Sequence, residues 1–186
     1  VLAMVTSPQV AAGPLAKGTI GGFGLKGNQT KDVGDQIAAA VEDAPMTPLV
    51  GADEEGGTVQ RLRLAIGEVP SAATVAKGTT TDAATQAGEH AAAMRQLGFN
   101  MNFAPVADVG SGSGLGTRSY GTDPQTVSNF VAAVWPAMQK NGITPVVKHW
   151  PGIGGGQADP HQKLTSLDSI AELRAKDLIP FQTAIE

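Results

Sequence analysis

Five times along this 186-residue chain a short apolar run is followed by a stretch of different character, mostly helical in its periodicity, and no other feature constrains the fold as much. The runs are Leu2–Val5, Gly21–Leu25, Leu49–Asp53, Asn100–Val106 and Thr144–His149, and none alternates apolar with polar residues. Strands of that kind are buried on both faces, as in a parallel sheet covered by helices. Ser7-Pro8 supplies an N-cap and a first-turn proline for a helix to about Lys17. A second helix is expected over Thr30–Asp43, and a third over Thr81–Leu97 with Gly98 as its stop. A fourth starts at Asp123-Pro124, carries Val127, Phe130, Val131, Val134 and Met138 on one face, and ends at Asn141-Gly142. Pro136 predicts a kink inside it, and Ser169 with Glu172 forms a capping box for a closing helical segment. The class is α/β. An open doubly wound sheet and a (β/α)8 barrel both fit this pattern. Five units are too few for a closed barrel, which takes about 250 residues, so the chain reads as the first part of a larger unit.

Composition removes several functions. Lys and Arg number 13 against 17 Asp and Glu, a net charge of −4, which leaves no basic excess for nucleic-acid phosphates. With 0 Cys, disulfide scaffolds, thiolate metal sites and cysteine nucleophiles are excluded. No apolar run approaches the roughly 18–20 residues of a membrane span. The 24 Gly gather beside polar residues after the strands, as loops built for binding on a rigid scaffold require.

Four polar segments follow strand ends, the edge where ligands bind in either architecture. Asp53-Glu54-Glu55-Gly56-Gly57, with Arg61 close behind as a partner for Asp53, places three carboxylates in a row that repel one another unless a cation or a hydroxyl-rich ligand sits among them. The plain alternative is a solvated acidic turn. Arg118-Ser119-Tyr120-Gly121 follows the glycine-rich stretch 110–116, and its guanidinium either clamps a ligand or caps a loop. Lys148-His149-Trp150-Pro151-Gly152 brings two donors to the end of an apolar strand, although alternation sends their side chains in opposite directions unless the strand twists or bulges. Gly154-Gly155-Gly156-Gln157-Ala158-Asp159-Pro160-His161 is a flexible arm in which Asp159 can fix the tautomer of His161, the pairing a general acid/base needs. A metal site drawing on Asp53, His149, Asp159 and His161 has suitable residue types but lacks an HxH or HExxH spacing.

Taken together, these segments resemble the N-terminal catalytic domain of glycoside hydrolase family 3, in its β-N-acetylglucosaminidase (NagZ-like) branch. Asp53 to Leu62 resembles D-[QE]-E-G-G-x-V-x-R-[LF], and Gly98 to Val109 resembles G-[IF]-x-x-[ND]-F-A-P-V-x-D-V. Arg118-Ser119-Tyr120-Gly121 resembles R-[SA]-[FY]-G, and Lys148 through His161 resembles K-H-F-P-G followed by D-S-H. The Asp-x-His arm separates this branch from the β-glucosidases of the family. Ile153 stands where the family often has His, and Pro160 replaces the usual Ser, which stiffens the arm.

The resemblance implies a (β/α)8 TIM-barrel type fold, with residues 1–186 as the N-terminal portion of the barrel domain, truncated after about five βα units. It implies that Asp53, Arg61, Arg118, Lys148 and His149 bind a non-reducing N-acetylglucosamine, and that His161 is the acid/base with Asp159 as its partner. The implied reaction is retaining hydrolysis of terminal β-linked N-acetylglucosamine through a glycosyl-enzyme, with no cofactor and no metal. The substrates would be peptidoglycan-derived muropeptides or chitin-type oligosaccharides, as in peptidoglycan recycling. The family's nucleophilic Asp lies beyond the position of Glu186, so this chain alone is expected to be inactive and to need the C-terminal part of the barrel. A non-catalytic sugar-binding relic and a metal-dependent hydrolase are the competing expectations. The Ala/Gly/Thr-rich, Lys-poor composition points towards a secreted or cell-envelope location.

Overall fold

The five apolar runs assemble into one parallel sheet in the computed structural model, which describes residues 1–112, 114–156 and 167–185. The first three strands are β1 (Leu2–Val5), β2 (Gly22–Leu25) and β3 (Leu49–Ala52). Directly after β3, two short strands, β4 (Glu54–Gly56) and β5 (Val59–Gln60), form an antiparallel hairpin. Strands β6 (Met101–Asn102) and β7 (Thr144–Pro145) complete the sheet, whose order is β1-β2-β3-β6-β7. All four neighbouring pairs are parallel and follow chain order without a reversal. A doubly wound sheet would reverse its order at a switch point. The arrangement here is the open arc of a barrel-type sheet, and the described residues do not close it.

The helices are α1 (Pro8–Ala16), α2 (Val33–Val41), α3 (Arg63–Ile66), α4 (Ala72–Val75), α5 (Thr80–Gln96), α6 (Pro124–Lys140), α7 (Ile170–Ala175) and α8 (Ile179–Ile185). Their ends follow local chemistry. Thr79 caps α5 by accepting the Asp82 N–H at 3.1 Å, and Asp123 caps α6 by accepting the Thr126 N–H at 2.7 Å. Ser169 and Glu172 close the expected capping box on α7, whereas Ser7 precedes α1 without a side-chain cap bond. Helix α6 stays helical through Pro136, and Gly142 leaves it at φ +76°. Its face of Val127, Phe130, Val131, Val134 and Met138 is buried as expected.

Alternation in β2 and β3 sorts the two faces of the sheet. Phe23, Leu25, Val50 and Ala52 join Ala11, Leu15, Val33 and Ile37 in the main core. On the opposite face, Gly24 and Gly51 lie beneath the Phe103 ring, which would stand about 3 Å from a Cβ at either position. By the same alternation Asp53 emerges on the Gly51 face, towards the mouth of the arc.

Two expected strands are shorter than their apolar runs. The apolar runs predict Asn100–Val106 for the fourth and Thr144–His149 for the fifth, but regular pairing stops at Asn102 and Pro145. Pro105 and Pro145 lack the N–H that a ladder uses. Irregular bonds take over: Val146 N–H donates to Asn102 O at 2.8 Å, Lys148 N–H to Pro105 O at 3.2 Å, and Ala107 N–H to Lys148 O at 2.6 Å. The stretch read only as polar and glycine-containing turns out to hold the β4–β5 hairpin, α3 and α4.

Candidate active site

The polar residues that follow β3, β6 and β7 meet at one end of the arc, beyond the strand C-termini. Glu55 lies at their centre, with its side chain only 2% exposed. Arg118 grips it with both arms of its fork, Nε to Oε2 at 2.7 Å and Nη2 to Oε1 at 2.8 Å. Lys148 Nζ reaches the same carboxylate at 2.5 Å and Asp53 Oδ1 at 2.6 Å. The hydrogen bonds to Glu55 hold the Arg118 pKa above its ordinary value, against the opposing effect of burial. Arg118 also donates from Nη1 to Gly114 O at 3.0 Å, which ties it to the glycine-rich loop.

His149 stands beside this cluster. Its Nδ1 lies 2.6 Å from Asp108 Oδ2, and its Nε2 lies 3.1 Å from Arg118 Nη2. An ionised carboxylate only accepts and a guanidinium only donates. The geometry therefore assigns Nδ1–H to Asp108 and the Nε2 lone pair to Arg118. Asp108, whose side chain is fully buried, also accepts the backbone N–H groups of His149 at 3.2 Å and Ile153 at 2.8 Å. It thus orients the imidazole and anchors the loop beyond it. Because regular strand geometry ends at Pro145, Lys148 and His149 both serve one cluster, and the peptide between them is cis.

Asp53, Arg118, Lys148 and His149 are therefore brought together as expected, while the local pairing differs. The sequence suggests Arg61 as the partner of Asp53, yet its Nη2 is 4.0 Å from Asp53 Oδ2, beyond hydrogen-bonding range. Lys148 takes the short contact instead. The Arg61 Nε is buried with no hydrogen-bond partner among the described residues. Asp159 and His161, which are also two of the four residues of the metal reading, lie outside the described residues. Both ring nitrogens of His149, a third member of that reading, are already engaged.

The sequence places Glu55 in the acidic run without a role of its own, and gives Asp108 none. Both stand inside the quoted motifs, but nothing local marks either as a hub. Behind the cluster, Glu54 is fully buried and its Oε2 lies 2.9 Å from His90 Nε2 on α5. Tyr120 stacks on Phe130 at a 5.1 Å centroid separation, and burial, with Glu55 adding to it, pushes the pKa of its hydroxyl upwards.

Chemically, the mouth brings together three carboxylates (Asp53, Glu55 and Asp108), an ammonium, two guanidinium groups and an imidazole in a partly buried setting. That set matches the donors and acceptors of ring hydroxyls, with charge balanced inside the protein.

Comparison with known proteins places the chain in a family. Residues 2–186 match the glycosyl hydrolase family 3 N terminal domain. A β-hexosaminidase of Stenotrophomonas maltophilia (strain R551-3) is 38% identical over 165 residues, covering 83% of this chain and 49% of the relative. The β-hexosaminidase LpqI of Mycobacterium tuberculosis is 37% identical over 146 residues, covering 76% of this chain and 38% of the relative. The chain thus spans half or less of the length of these two relatives. A crystal structure of a GH3 family glycosyl hydrolase from Mycobacterium smegmatis superposes with a TM-score of 0.92 at 31% identity, covering 98% of this chain and 57% of the other. On this sequence match and this fold, the chain belongs to glycosyl hydrolase family 3.

Proposed function

We propose that the protein containing this chain hydrolyses terminal β-linked N-acetylglucosamine from peptidoglycan or chitin-type fragments. The observation that carries this reading is the layer in which Glu55 holds Arg118 and Lys148 beside Asp53 and His149, at the C-terminal edge of the arc. The β-hexosaminidase names of the relatives support the same substrate class. In this reading Asp53, Arg61, Arg118, Lys148 and His149 bind the non-reducing sugar. His161, oriented by Asp159, is the acid/base of a retaining mechanism, and a carboxylate nucleophile comes from a later strand that completes the barrel.

The test uses the protein with the rest of its barrel. Turnover of an aryl N-acetyl-β-glucosaminide is expected, with the corresponding β-glucoside a poor substrate. His161→Gly should depress natural disaccharide hydrolysis far more than hydrolysis of an activated aryl glycoside, and azide should restore turnover of the latter. Turnover of the glucoside alone would refute the substrate reading. Equal losses on both substrate types without azide rescue would remove His161 from the acid/base role.

A further inference from the structure

We propose that His90 is a positioning residue for the sugar-binding layer, acting from helix α5 through Glu54; this rests on the reading of that layer given above. Strand alternation divides the three consecutive carboxylates. Asp53 and Glu55 face the mouth and meet Lys148 and Arg118, whereas Glu54 points to the rear and is fully buried. A carboxylate removed from water needs its oxygens satisfied. Glu54 Oε1 accepts the backbone N–H of Leu62, and Oε2 faces His90 Nε2 at 2.9 Å. The Glu54 main chain is held as well: its N–H donates to Asn102 Oδ1 at 3.1 Å, and its C=O accepts from Asn102 Nδ2 at 3.0 Å.

Glu54 is thus a rivet between the β4–β5 hairpin and the scaffold, and His90 is the side-chain donor that secures its carboxylate. A carboxylate can only accept, so His90 presents Nε2–H to it. Without that donor, Glu54 must turn or pull the hairpin towards another partner. The first residues to shift would be Asp53 and Glu55 on either side of it, and Arg61 next to Leu62. Their contacts with Lys148 and Arg118 are short and directional, so small displacements matter. His90 also borders a small cavity between α5, α6 and β4, lined by Gln86, Tyr120 and Met138 among others. An uncharged side chain of similar size therefore has room there.

The experiment compares His90→Leu with His90→Gln in the protein containing this chain. Glutamine can place an N–H where the histidine Nε2 stood, and leucine cannot. His90→Leu should raise KM for an aryl N-acetyl-β-glucosaminide by about tenfold, with kcat changed much less, and His90→Gln should restore KM. Without sugar, the NMR signal of the Arg118 Nε–H, which donates to Glu55, should move in His90→Leu and return in His90→Gln. Should the leucine variant fail to fold, His90→Asn, whose amide stops short of Glu54, takes its place with the same expectation. A folded loss variant with unchanged KM and an unchanged Arg118 signal overturns the proposal, as does a glutamine variant as impaired as leucine. A wild-type protein that turns over no amino sugar overturns the functional reading instead, and the Arg118 signal then decides the role of His90 alone.

Discussion

Replacing Glu55 with glutamine tests whether one buried carboxylate organises the sugar-binding layer. The substitution keeps the shape and removes the charge. In the native chain the carboxylate receives two bonds from Arg118 and one contact from Lys148, and its side chain is 2% exposed, so solvent offers little substitute. With the glutamine carbonyl at the Oε1 position, the Arg118 Nη2 and Lys148 contacts survive as neutral-acceptor bonds. The amide NH2 then meets the Arg118 Nε–H, donor against donor. Removing one partner of a buried ion pair typically costs about 3–5 kcal/mol. Part of that appears as lower stability and part as misplacement of Arg118 and Lys148. If about 3 kcal/mol falls on transition-state binding, kcat/KM for an aryl N-acetyl-β-glucosaminide drops by roughly 100-fold. The assay is steady-state kinetics on the protein with its complete barrel, well below the melting temperature of the variant. A well-folded Glu55→Gln enzyme within threefold of wild type would refute the reasoning, because Arg118 and Lys148 would then be placed by something else.

Two further outcomes follow from packing and charge. A Cβ on Gly154 would stand 2.1 Å from the Val109 carbonyl oxygen, so Gly154→Ala must push apart the loops that carry Asp108 and His149; a loss of about 1–3 kcal/mol in thermal stability is expected. Gly155→Ala meets only the Asp168 side chain and should cost clearly less, and equal melting temperatures for the two variants would contradict this. Burial raises the pKa of the Asp177 carboxyl, and Asp168 and Asp108 add to the shift while Lys176 opposes it. The folded state therefore holds the proton to higher pH than the unfolded chain, so stability from this group is full below the unfolded value and is lost as pH rises through the folded one. Asp177→Asn should raise the melting temperature more at about pH 7 than at about pH 4, and a larger gain in acid would overturn the assignment.

Much of the fold could be read because its signals are local. Asp123-Pro124 and Gly142 bracket α6, and Ser169 with Glu172 marks α7, since caps satisfy backbone groups that lie within a few residues. The strands β1, β2 and β3 followed their apolar runs almost to the residue. Strand order was not legible from pattern alone, because doubly wound and barrel-type sheets bury both faces alike; the family resemblance made that choice, and the order β1-β2-β3-β6-β7 agrees with it. The shortened β6 and β7 show the opposite limit. An apolar run records burial, and burial continues through Ala104, Val106, Ala107 and Val109 after the regular ladder has stopped at Asn102, while Val146 and Val147 stay half-buried beyond Pro145.

At the site, residue types were legible and their partners were not. Charged residues after strand ends are conspicuous, but Lys148 meets Asp53 across 95 positions and Arg118 meets Glu55 across 63. Proximity in sequence favours Arg61 for Asp53, and in space Lys148 takes that place. The run Asp53-Glu54-Glu55 looks like one acidic turn, and three like charges in a row look like a single problem of repulsion. Strand alternation splits them. The outer two face the mouth, where Lys148 and Arg118 neutralise them, and the middle one faces α5, where His90 and the Leu62 N–H receive it. What the sequence writes as a single cluster is, in the folded chain, a binding layer and the buried anchor behind it, and only the pairing of β3 with β6 and of β6 with β7 brings the cations to the correct side of each.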